Sequence, residues 1–173
     1  MFGSLKAFIT SLAEDARPQN RLESEDCRIA AAALLIRVAT VEHEMSQAMR
    51  GKLHAVLRLG FALDDRATAA LIDAAAAAEQ SATDLYHFTR RLNAELDQEG
   101  RLRIVGMMWE MAYVDERANE FASNIIWRAA DLLGVSSRER IELRRRIAAD
   151  RATLRSPRSM EQIANGAIES HAS

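Results

Sequence analysis

The stretch EDCRIAAAALLIRVA, residues 25–39, limits what this chain can become more than any other. Wound as a helix it is apolar on most of its surface, so no single face can be turned to water. Such a helix is stable only when other elements wrap it. No alternating apolar and polar stretch of useful length appears in the 173 residues, so the wrapping has to come from helices. Seven Gly and two Pro are few, and Ala is abundant, which favours uninterrupted helix. With 49% hydrophobic and 28% charged residues, the composition is that of a globular chain with a sizeable core. The fold class is therefore all-α.

Boundaries follow from capping chemistry. Ser24 reads as an N-cap, with Glu25 and Asp26 in the first turn where the helix dipole favours acids, and the central helix is expected to run to about Val41. A helix over about Ser46 to Leu59 follows, then one capped by Asp64 or Asp65. The next is expected to start near Ser81 and carry ATDLYHFTRRLNAEL, with Gly100 separating it from RLRIVGMMWEMAYV. Asn119 is placed to cap EFASNIIWRAADLLG, Gly134 to end it in left-handed geometry, and Ser136 with Glu139 to form an S-x-x-E capping box for a final helix. At the start, Phe2, Leu5, Phe8, Ile9 and Leu12 make one helical stripe ended by Pro18. Such a stripe suits a membrane surface or the bundle itself. One Lys against two acids gives little electrostatic pull to a membrane, so docking on the bundle is expected. Residues 1–155 then form one domain, and 156–173, with Pro157 and Gly166, a mobile tail.

Two stretches echo each other at an offset of about 73 residues. LLIRVATVEHEMSQAM aligns with MMWEMAYVDERANEFA, pairing Ala39 with Ala112, Val41 with Val114, Glu42 with Asp115 and Ser46 with Asn119. Each is an apolar helix, an acid, a short loop, a cap and a second apolar helix, which suits two pseudo-repeated hairpins around a shared core.

Groups able to do chemistry are sparse. Cys27 is the single cysteine, so there is neither a disulfide framework nor a zinc set; it reads as a small buried hydrophobe in a reducing, cytoplasmic setting. The chain shows no leader pattern and no apolar run of transmembrane length. His43, His54, His87 and His171 lack zinc-site spacing, and GxSxG, P-loop and GxGxxG patterns are absent. Asp84, His87 and Arg91 share a helical face, and without a nucleophile they are expected to form a buried polar network. Trp109, Trp127, Met107, Met108 and Met111 follow core periodicity. A net charge of −2 argues against a nucleic-acid protein. The Arg-rich stretch SSRERIELRRRIAADRATLRSPR lacks aromatics for base stacking; if it meets a protein partner, Arg144, Arg145 and Arg146 are the candidates.

The segments ATDLYHFTRRLN and MMWEMAYVDERANEFASNIIWRAADLLGVSSRERIELRRR resemble the TerB-like family, named for tellurite resistance, in its stand-alone bacterial branch. The resemblance covers roughly residues 5–150 and implies a bundle of seven to eight helices, cytoplasmic and non-enzymatic. It also implies carboxylates for a metal ion: an Asp-Gly pair after the first helix of each hairpin and a Glu seven residues beyond the Asp. Here the first loop reads Glu42, His43 and Met49, and the second Asp115, Glu116 and Ala122. Both Gly and both distal Glu positions are lost. Calcium and magnesium want several oxygen ligands, so Asp115, Glu116, Glu120 and Glu42 make a weak set, and no cofactor is expected. The expected function is a protein-binding scaffold or stress-response sensor. The alternative is a divalent-metal-binding tellurite- or stress-resistance protein. A homodimer is left open.

Overall fold

Helix α1 (Glu25–Ala39) begins where the Ser24 side chain accepts a hydrogen bond from the Cys27 backbone N–H at 3.0 Å. The computed structural model describes residues 24–114 and 119–154, and the described residues hold seven α-helices and no strand. After α1 come α2 (Gln47–Gly60), α3 (Asp65–Ser81), α4 (Tyr86–Glu95), α5 (Gln98–Ala112), α6 (Glu120–Leu132) and α7 (Ser137–Leu154). The apolar stripe at residues 2–12 and the tail from 156 lie outside the described residues.

Helix α1 is enclosed as its composition demands, with every side chain from Ala30 to Ile36 buried and α2 to α6 all packed against it. Four consecutive alanines, Ala30 to Ala33, keep its surface thin there, so neighbours approach closely on several sides. Helix α5 is the second core helix; it touches α1, α2, α6 and α7 and buries Ile104 through Ala112 without a break. Cys27 is fully buried and behaves as a core residue. Burial, with Glu95 nearby, pushes its thiol from 9.0 up to about 12, so it remains a neutral thiol at ordinary pH. Among the described residues no helix is long and apolar enough to cross a membrane.

Three boundaries differ from the sequence expectation. Helix α1 stops at Ala39, two residues before Val41, where Thr40 turns its N–H back to the Ile36 carbonyl. Helix α3 continues through Ser81, and a break at residues 82–85 precedes α4. The cause is tertiary. Arg37 of α1 donates from Nη2 to the Ala82 carbonyl at 3.2 Å and from Nε to Glu79 at 2.9 Å, satisfying an acceptor that continued helix would otherwise use. Gly100 is not a separator but a buried residue in the first turn of α5; Asp97 is the cap, accepting from the Gly100 N–H at 3.0 Å.

The expected buried network of Asp84, His87 and Arg91 is not formed. Helix α4 buries Phe88, Thr89 and Leu92, with Leu85 beneath its start, and this turns 84, 87 and 91 outward. Asp84 accepts from the His87 N–H at 3.3 Å as a helix-start bond, while Arg91 reaches Asp26 at 2.7 Å and Glu95 at 2.9 Å on the surface.

Two helices end in the same backbone motif with different residues. After α6, Gly134 has φ +70°, with its N–H on the Asp131 carbonyl and that of Val135 on Ala130. After α2, Ala62 occupies the equivalent position at φ 52°, and the Leu63 N–H bonds the Arg58 carbonyl. This is the Schellman arrangement, in which a Cβ is strained. Ala62→Gly is expected to raise the unfolding free energy by ~0.5–1 kcal/mol, and Gly134→Ala to lower it by ~1 kcal/mol. Urea titration of both variants checks the opposite signs.

Candidate functional site

Among the described residues, the Asn119 side chain links the two acidic loops. Residues 40–46 join α1 to α2, and residues 113–119 join α5 to α6. Asn119 caps α6: its Oδ1 accepts from the Ala122 N–H at 2.6 Å. Its Nδ2 donates to Glu42 Oε2, also at 2.6 Å, across 77 positions of sequence. A single amide therefore ends one helix and ties the first loop to the second. Ser46, the matching cap of α2, accepts from the Met49 N–H at 3.2 Å, and Arg50 Nε donates to the Met45 carbonyl at 3.2 Å. The sequence echo aligned Ser46 with Asn119, and both are side-chain caps. It aligned Ala39 with Ala112, and these end helices of 15 residues each.

The candidate ligands divide by place. Glu42 is exposed and held by Asn119; Glu120 is exposed in the first turn of α6. Asp115 and Glu116 lie outside the described residues. The positions where the resemblance implies a distal Glu carry Met49, partly buried and packed on the core, and Ala122, buried. Among the described residues no group of three or more His, Cys, Asp or Glu side chains comes close enough to hold a metal ion.

Helix α7 uses its arginines in two ways. The Arg140 guanidinium lies 5.3 Å from the centre of the Trp127 ring, Arg144 lies 5.1 Å from that of Trp109, and Arg151 lies 5.8 Å from that of Tyr113. The rings form one cluster: Trp109 meets Trp127 edge-on at 5.7 Å and Tyr113 tilted at 6.0 Å. Arg140 also donates to the Trp127 carbonyl at 3.1 Å and to Ser137 Oγ at 2.8 Å. Arg145 is exposed, and Arg146 reaches Glu142 at 3.6 Å within the helix. Of the three candidate partner residues, Arg144 is thus stacked on an aromatic ring, and 145 and 146 face water. The predicted capping box is present: Ser136 N–H and Oγ both donate to Glu139 Oε2, at 2.9 and 2.7 Å, and the Glu139 N–H returns to Ser136 Oγ. Those bonds from Ser136 hold the Glu139 carboxyl below its ordinary value.

Two charged side chains of α5 find partners on α2 that the sequence analysis did not single out. Glu110, 4% exposed at its side chain in the last turn of α5, meets Lys52 Nζ of α2 at 3.0 Å. Arg103, whose pKa burial lowers, donates from Nη2 to the Gly60 carbonyl at the end of α2. Lone charges in the apolar run RLRIVGMMWEMA were the visible hint, since a charge inside a buried helix needs a partner. Both fix α5 against α2.

Comparison with curated proteins and with solved structures gave no match. The family model for the tellurite resistance protein TerB matches residues 28–145, from the first turn of α1 well into α7. That span holds both loop-bearing hairpins and covers more than half of the chain, which therefore belongs to the TerB family.

Proposed function

We propose that this TerB-family domain is a non-enzymatic protein-binding scaffold or stress-response sensor of the cytoplasm, whose metal site has degenerated. The observation that carries the reading is the bond between Asn119 and Glu42 at 2.6 Å. One carboxylate oxygen of the first loop is committed to an amide donor that is itself a helix cap. A hard cation there would compete with that bond for one carboxylate oxygen, and the described residues around it bring together no set of three acidic or His side chains to complete a coordination shell. The side chains at Met49 and Ala122 offer none, being directed into the core. The outward arginines of α7, Arg145 and Arg146 with the edge of Arg144, form the face we assign to an acidic protein partner.

The competing reading is a divalent-metal protein using Asp115, Glu116, Glu120 and Glu42. Thermal unfolding in rising calcium, magnesium or zinc separates the two. A site filled at 100 times its dissociation constant adds about 2.7 kcal/mol to stability. We expect no shift at millimolar ion; a saturable rise of that size, lost in Glu42→Gln, establishes the metal reading instead.

A further inference from the structure

A groove of about 530 Å³ runs between α1, α3 and α4. Its walls are apolar where the helices meet, at Ile29, Ala30, Ala78 and Phe88, and Arg90 and Arg91 stand on the α4 side. Arg91 is engaged by Asp26 and Glu95. Arg90 is exposed, with no carboxylate within ion-pair distance among the described residues. We propose that this groove is the seat of the chain's own N-terminal segment, with Phe2, Leu5, Phe8, Ile9 and Leu12 laid along it.

Three observations select this occupant. The first is position. The chain enters α1 at one end of the groove: Ser24 is the α1 cap, its hydroxyl donates to Glu95, and Asp26, Ile29 and Ala30 just beyond it line the groove. The second is reach. Residues 13–23 separate the stripe from Ser24, and eleven residues span at most about 36 Å, more than the roughly 22 Å length of α1, so the stripe can fold back alongside α1. The third is chemical match. The stripe is apolar at helical spacing, as the alanine-lined walls require, and Glu14 and Asp15 directly after it supply acids for Arg90. Small wall residues, Ala30 and Ala78, leave room for Phe and Leu side chains between α1 and α3.

Hydrogen exchange on the full chain tests this. Backbone N–H groups of residues 5–12 should exchange at least about tenfold more slowly than in an unstructured peptide, at every protein concentration. Ala94→Arg, at an exposed α4 position lining the groove, should abolish that protection while the amides of α5 and α6 stay as protected as before. Phe8→Asp should do the same from the other side and speed exchange in α4. Unprotected amides at 5–12 in the natural chain overturn the proposal. So does protection indifferent to Ala94→Arg. Protection that fades on dilution assigns the groove to a second copy, and protection gained only with anionic phospholipid vesicles assigns the stripe to a membrane surface; either result also overturns it.

Discussion

Replacing Lys52 by Met is expected to lower the unfolding free energy by roughly 3–5 kcal/mol, a large part of the whole for a domain of this size. The cost comes from Glu110 rather than from Lys52. The Glu110 carboxylate is almost wholly withdrawn from water, and Lys52 Nζ at 3.0 Å is the cation that neutralises it. With Lys52→Met the volume stays but the charge is left alone between α2 and α5, where unpaired carboxylates are strongly disfavoured. The pair itself need not be stabilising, since removing two charges from water offsets much of their attraction. Lys52→Met combined with Glu110→Met is therefore expected to recover most of the loss, to within about 1 kcal/mol of the natural chain or above it. Urea unfolding of the two single variants and the double variant measures the coupling. A single-variant loss below about 1 kcal/mol would mean that water reaches Glu110 and that the pair is a surface contact.

What was legible in the sequence divides along the distance over which each signal acts. Caps act over three residues, and Ser24, Ser46, Asp64, Asn119 and Ser136 with Glu139 all occupy the positions their chemistry indicated. The enclosure of α1 and the burial of Trp109 and the Met residues were equally readable, because an all-round apolar helix has no alternative. The break after α3 was not readable. Neither Gly nor Pro marks residues 82–85, and the helix ends because Arg37, more than forty positions earlier, supplies donors to Glu79 and Ala82. Asp84, His87 and Arg91 failed as a buried network for a related reason. His87 and Arg91 share a face of α4 with Asp84 just ahead of the helix, but which face of α4 turns inward is decided by Leu85, Phe88 and Leu92 packing on α1 and α6.

The candidate site shows the same division. Asn119 as a cap was legible from spacing; Asn119 as the clasp on Glu42 was not, since it depends on two hairpins lying side by side. The sequence echo aligned Glu42 with Asp115 and Ser46 with Asn119; the structure joins the acid of the first loop, Glu42, to the cap of the second, Asn119, a contact between positions the echo did not pair. An amide serves both ends of that contact, because its oxygen accepts from the helix while its nitrogen still has protons to give. A Ser or Thr at 119 would cap α6 with a single, shorter hydroxyl and lack the planar reach to Glu42.

Trp109→Ala is expected to cost about 3–5 kcal/mol and to loosen α7 before the rest of the bundle. Trp109 is fully buried, and its ring is shared by three neighbours: Trp127 edge-on, Tyr113 tilted, and Arg144 above. Helix α7 is otherwise held by few buried side chains, chiefly Leu143 and Ile147, because most of its surface is charged. Arg140, Arg144 and Arg151 compensate by laying guanidinium groups on the aromatic cluster, where each contact is worth on the order of 0.5–2 kcal/mol according to how far water is excluded. Removing the central ring takes away the Arg144 contact and the edge that positions Trp127 under Arg140. Hydrogen exchange should accordingly report faster opening of α7 than of α1 in Trp109→Ala, with near-ultraviolet circular dichroism losing most of its tryptophan signal. Arg144→Leu offers the second arm. If Arg144 matters through Trp109, its cost in the natural chain should exceed its cost in Trp109→Ala by about 0.5–1 kcal/mol. Equal costs in the two backgrounds would make the ring and the guanidinium neighbours without an interaction, and would return Arg144 to the water-facing set with Arg145 and Arg146.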